Sequence, residues 1–233
     1  MFSPEYIKKS SEHAQKNRSE RDIFNNIPIY IKDPLSANID LDKAIERIER
    51  TIPRGFLYNV DVIYIGDFDS FHKDGRSFNA KYEDGALYIS NIQTDEEDMV
   101  DDIIHEIAHA VEEQNMEKIY FDNTIEKEFL GKRKRLYQGL KQEGLNPPHK
   151  KFLQVNYDQE LDNYLYKEVG YPILASLVVG LFYSPYAVTS LQEYFANGFE
   201  NFFLRDSNYL KDISPYLYKR IDELVESAIG ETI

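Results

Sequence analysis

The chain has 233 residues, a formal net charge of −14, and neither cysteine nor tryptophan. That acidity offers phosphates no dominant basic surface and argues against a nucleic-acid partner. The lack of thiols excludes disulfides and thiolate metal sites, so any metal must be held by His and carboxylate. The length admits one large domain or two lobes sharing a cleft, with Tyr (18) and Phe (14) supplying much of the apolar bulk.

The first thirty residues are polar and charged, with no apolar core of a signal peptide. The longest apolar run, residues 172–183, is well short of the ~20 residues a membrane span needs. The expectation is a protein that is cytoplasmic where it is synthesised and has no membrane partner, with delivery elsewhere left open. Residues 1–22 read as a polar arm, and His13 within it as a surface residue. Residues 27–31 (IPIYI) form a short strand ended at Pro34, and 41–48 have helical periodicity that stops at Pro53. Residues 60–65 are a second strand. His72 lies in a polar loop and reads as surface. Residues 78–90 form a hairpin about Asp84-Gly85, a pair that suits a two-residue turn between β-rich arms. After residue 116 strand signals largely vanish, and 126–139, 157–169, 172–182, 189–204 and 214–229 read as helices. The run Lys132-Arg133-Lys134-Arg135 reads most simply as a solvated helix face.

Between these regions, residues 98–114 form a helix. Val100, Ile103, Ile104, Ile107 and Val111 fall on one apolar stripe. On the opposite face His105 and His109, four residues apart, stack one above the other. Two stacked imidazoles are what one helix can offer a zinc ion, and Glu106 is placed to reach a water on that ion. The segment His105-Glu106-Ile107-Ala108-His109 is the HExxH signature of zinc metallopeptidases. The same face carries Asp98, Asp102, Glu112 and Glu113, so it is also readable as the solvated side of an amphipathic helix.

A catalytic zinc site takes three protein ligands and keeps one position for water. An HExxHxxGxxH continuation requires Gly and His where Glu112 and Asn115 stand, so that class is excluded. His149, beside Pro147-Pro148, has no helix to support it as a ligand. A glutamate is left, and Glu128 and Glu193 are the candidates. Around the segment 190–203, Val188, Leu191, Phe195, Phe199 and Phe202 make the apolar stripe, while Glu193, Asn197 and Glu200 share the opposite face. Gly198 in a helix is explained by close approach of another element.

His105-Glu106-Ile107-Ala108-His109, followed at long distance by Tyr186 and by Glu193-Tyr194-Phe195-Ala196, resembles the catalytic domain of anthrax-lethal-factor-like zinc peptidases, within the gluzincins. The resemblance covers roughly residues 76–204 and is specific at these two short segments. It implies one Zn2+ per chain held by His105, His109 and Glu193, with Glu106 as general base and Tyr186 stabilising the oxyanion. It favours Glu193 over Glu128. The fold expected is α+β and zincin-like: an arm (1–22), a lobe of small mixed sheet ending in the HExxH helix (23–116), and a mostly helical lobe carrying the third ligand (117–233).

The activity implied is zinc-dependent endopeptidase chemistry, in which a zinc-activated water attacks the peptide bond of a peptide or protein substrate. The substrate can lie extended along a strand of the hairpin. Asn197 and Glu200 are candidates to orient the histidines. The alternatives are an inert zinc-binding interaction module and an acidic interaction protein that binds no metal.

Overall fold

The computed structural model describes residues 21–73 and 76–230. Most of the polar arm, with His13, lies outside the described residues. The chain divides into two compact units, Met1–Ala110 and Val111–Ile233.

The first unit is built on a five-stranded mixed sheet. Strands β1 (Arg21–Ile23), β2 (Ile27–Ile31) and β3 (Val62–Ile65) are joined by β6 (Ala80–Glu83) and β7 (Ala86–Ile89) in the order β1-β2-β3-β7-β6. A separate two-stranded ribbon pairs β4 (His72–Lys73) with β5 (Arg76–Ser77). The three central strands are parallel and both outer pairs antiparallel. Their register explains the alternating sequence. Ile29, Ile63 and Leu87 stand side by side and buried on one face, and Tyr30, Tyr64 and Tyr88 form a half-buried ladder on the other. The tyrosine rings stack at 5.7 and 5.5 Å, a cross-strand pairing that helps hold the register. Helix α1 (Leu41–Thr51) makes the β2-to-β3 crossover, burying Leu41, Ala44, Ile45 and Ile48. The hairpin turns at Asp84 and Gly85 with φ of 49° and 81°, the left-handed pair that a two-residue turn demands.

Helix α2 (Glu96–Tyr120) is longer than the sequence pattern suggests, and the boundary between the units falls within it. Its acidic first turn complements the helix dipole, and Asp95 accepts the Asp98 N–H at 2.9 Å. Val100, Ile103, Ile104, Ile107 and Val111 are fully or almost fully buried, as the apolar stripe requires. The regular helix breaks at Asn115 (φ −115°, ψ 17°), close to where the periodicity ends.

Among its described residues the second unit is mostly helical. It comprises α3 (Thr124–Gln142), α4 (His149–Phe152), α5 (Gln159–Asn163), α6 (Tyr171–Val178), α7 (Leu191–Leu204), α8 (Ser207–Ile213) and α9 (Pro215–Gly230). The stretch read as one helix over 157–169 is α5 continued by a π-helical turn, Tyr164–Val169. Phe129, Phe182 and Tyr194 form an aromatic core with ring centroids 5.4–6.1 Å apart. Gly198 of α7 faces Leu217 of α9 so closely that a Cβ there would meet Leu217 Cδ2 at 2.3 Å, the close approach its presence in a helix implied.

The basic run does not form a solvated face. Lys134 and Arg135 are exposed, but Lys132 and Arg133 are buried. Lys132 reaches Ser214 Oγ at 2.5 Å and lies over the Tyr194 ring. Arg133 is wholly enclosed, because main-chain carbonyls provide acceptors for its donors. Among the described residues no helix is long and apolar enough to cross a membrane.

Candidate metal centre

His105 and His109 sit one turn apart on α2, half-buried, with ring centroids at 5.2 Å and planes at 77°. Glu193 sits in the first turn of α7. That turn is fixed by Ser190 at the N-cap, whose Oγ accepts the Glu193 N–H at 3.0 Å. The ligand-capable atoms of His105, His109 and Glu193 all lie within 4.8 Å of one another. Two ligands at about 2.0–2.2 Å from one ion are at most about 4.4 Å apart, so that separation is close to what a shared ion requires. The donor set also fits: two imidazoles and a carboxylate are the ligands left to a chain without thiols. The arrangement is consistent with a zincin-like metal site.

Glu106 is 7% exposed, and its Oε2 accepts the main-chain N–H of Tyr82 at 2.6 Å. Tyr82 lies on β6, an edge strand of the sheet. Ser90 N–H bonds Asn79 C=O, and the antiparallel alternation from that pair turns the main-chain groups of Ala80 and Tyr82 away from β7. Sheet edge and helix therefore meet at the glutamate of the HExxH segment.

One turn before His105, the Asp102 carboxylate accepts Gln93 Nε2–H at 2.9 Å. Burial pushes its pKa up to about 7, and the charges of Asp98 and Glu106 act in the same direction; the Gln93 hydrogen bond and His105 oppose them.

The remaining candidates have other settings. Glu128 is occupied structurally: its carboxylate accepts Tyr194 Oη–H at 2.8 Å and the N–H groups of Tyr216 and Leu217 at 3.1 and 3.2 Å, capping α9. His149 opens α4 with its ring 5.1 Å from Tyr137. His72 is exposed and bonds Asp67 at 2.7 Å. Tyr186 is half-buried and begins the 3-10 turn Tyr186–Val188, just ahead of α7. Asn197, one turn beyond Glu193, is buried with Oδ1 lacking a hydrogen-bond partner among the described residues, and Glu200 is half-buried.

Sequence reasoning missed the groups that hold the Tyr186-to-Glu193 connection. Thr189 donates N–H and Oγ1–H to the Tyr186 carbonyl at 3.0 and 2.8 Å. Arg133 binds the carbonyls of Val188 and Thr189. One signal was present: Ser190 and Glu193 have the S-x-x-E spacing of a helix start. None of the protein-family models, curated proteins or solved structures compared with the chain matches it.

Proposed function

We propose that the chain is a zinc-dependent endopeptidase of the gluzincin type. One Zn2+ is held by His105, His109 and Glu193. The convergence of two imidazoles and a carboxylate from distant parts of the sequence carries this reading.

Zinc bound there would supply a Lewis acid and bring the pKa of an attacking water toward ~7. Glu106 takes the proton that the attacking water gives up and returns it to the amine leaving group. The Tyr82 N–H holds one of its carboxylate oxygens, so the base is oriented before the substrate arrives. The Tyr186 hydroxyl donates to the developing oxyanion, an interaction typically worth ~3–4 kcal/mol. A peptide or protein substrate adds as an extended strand along β6 and takes its register from outward main-chain groups such as those of Ala80.

Elemental analysis of the purified chain beside a His105→Ala/His109→Ala variant, together with turnover of a peptide library, tests this. About one zinc per wild-type chain, none in the variant, and cleavage by the wild type alone are expected. Zinc without cleavage leaves an inert binding module, and no zinc even after soaking refutes the metal site.

A further inference from the structure

Arg133 makes five hydrogen bonds to four main-chain carbonyls. Nε donates to Val188 at 2.8 Å, Nη2 to Val188 and Thr189 at 2.6 and 2.7 Å, and Nη1 to Lys151 at 3.3 Å and to Gln154. Its guanidinium also stacks on the Phe129 ring, 4.5 Å from the centroid, and the side chain is wholly buried. The charge is retained: burial lowers its pKa to about 10, still well above neutrality.

The segment so gripped is short and chemically loaded. It begins at Tyr186, whose carbonyl is tied to Thr189, and ends at Ser190, whose hydroxyl fixes the N–H of Glu193. Leu191 N–H adds a bond to the Val155 carbonyl at 2.8 Å, next to the loop that Arg133 also holds. The two carbonyls taken by Arg133 inside this segment, Val188 and Thr189, lie between Tyr186 and Glu193. A buried cation surrounded by carbonyls and stacked on a phenyl ring is costly to assemble and rigid once assembled.

We infer that Arg133 is a positioning residue for the candidate centre: through the Val188 and Thr189 carbonyls it sets the placement of Glu193 on one side and Tyr186 on the other. This rests on the zinc-peptidase reading for its consequence, while the clamp itself is independent of metal. Lysine cannot replace it, because one ammonium with three donors does not reproduce a planar fork reaching four carbonyls.

The test compares wild type with Arg133→Lys and Ser190→Ala. Ile221→Val, a truncation in the buried face of α9, controls for general loss of stability. Amide hydrogen exchange over residues 186–193 is measured on the metal-free chain, and zinc affinity by competition with a chelating dye. In Arg133→Lys, exchange over 186–193 rises at least tenfold with little change over 215–230. Zinc affinity falls at least tenfold, and kcat falls while KM holds. Ser190→Ala shows a smaller loss of zinc affinity in the same direction, and Ile221→Val leaves affinity within twofold. Arg133→Lys with exchange and zinc affinity both within twofold of wild type overturns the inference. Should that variant fail to fold, Ser190→Ala decides: unchanged zinc affinity overturns the inference and a several-fold loss supports it. A wild type that binds no zinc refutes the peptidase reading alone, because the exchange experiment still reads the clamp.

Discussion

The main-chain N–H of Tyr82, on an edge strand, donates to Oε2 of Glu106 on the helix that carries both histidines. A glutamine at position 106 keeps an oxygen able to accept that N–H and loses the ability to take a proton. Glu106→Gln is therefore expected to keep its zinc and its thermal midpoint while turnover falls by roughly 10²–10⁴, the usual range for a general acid–base group. Metal analysis, a melting curve and a peptide assay on one preparation check it. Loss of zinc in this variant would reassign Glu106 from base to ligand.

The two glutamates that sequence alone leaves in competition have separable consequences. Glu193→Ala removes a member of the candidate metal trio, so zinc and activity are expected to be lost together. Glu128→Ala instead frees the N-terminus of α9 and the Tyr194 hydroxyl, costing about 1–2 kcal/mol of stability. Zinc content is expected to stay near one per chain. Metal titration with a urea melt separates the two, and the assignment fails if the zinc losses are exchanged.

What was legible in the sequence follows from what periodicity can encode. Alternation in IPIYI and the Asp84-Gly85 pair mark strands and a hairpin because pleat and left-handed turn impose residue types locally. The His105–His109 spacing is readable for the same reason: one helix turn is a local fact. Strand order is not local, and nothing in residues 62–65 announces that they pair with both 27–31 and 86–89. Arg133 shows the limit most clearly. In a run of four basic residues it looks solvated, and only tertiary structure brings four carbonyls around it. Glu128 and Glu193 both lie on helices, and what separates them is which partners the fold supplies.

Gly198 has a steric reason to be glycine. On propensity alone Gly198→Ala stabilises a helix by about 1 kcal/mol. Here the new methyl meets Leu217 Cδ2 at 2.3 Å, and Leu217 is wholly buried with little room to retreat. Overpacking of this kind typically costs about 1–3 kcal/mol, so the net effect is destabilising. Because Gly198 lies on the helix that carries Glu193, zinc affinity is expected to fall with it. A urea midpoint equal to or above that of wild type would show that α9 yields instead.

Asp102 gives the metal-free protein a pH dependence with a definite sign. Its carboxyl titrates near 3.8 unfolded and is pushed up to about 7 by burial in the fold. Between those values the folded state holds a proton that the unfolded state has released, so stability falls as pH rises. Each pH unit in that window costs about 1.4 kcal/mol, and the loss levels off above about pH 7. Asp102→Asn removes the titration while keeping an oxygen for the Gln93 amide to bond. Urea unfolding of chelator-treated protein from about pH 5 to pH 8 is the measurement. The wild type is expected to lose stability relative to Asp102→Asn as pH rises, leaving the variant more stable at pH 8. Parallel curves for the two proteins would mean that the Asp102 carboxylate is solvated well enough to ionise normally.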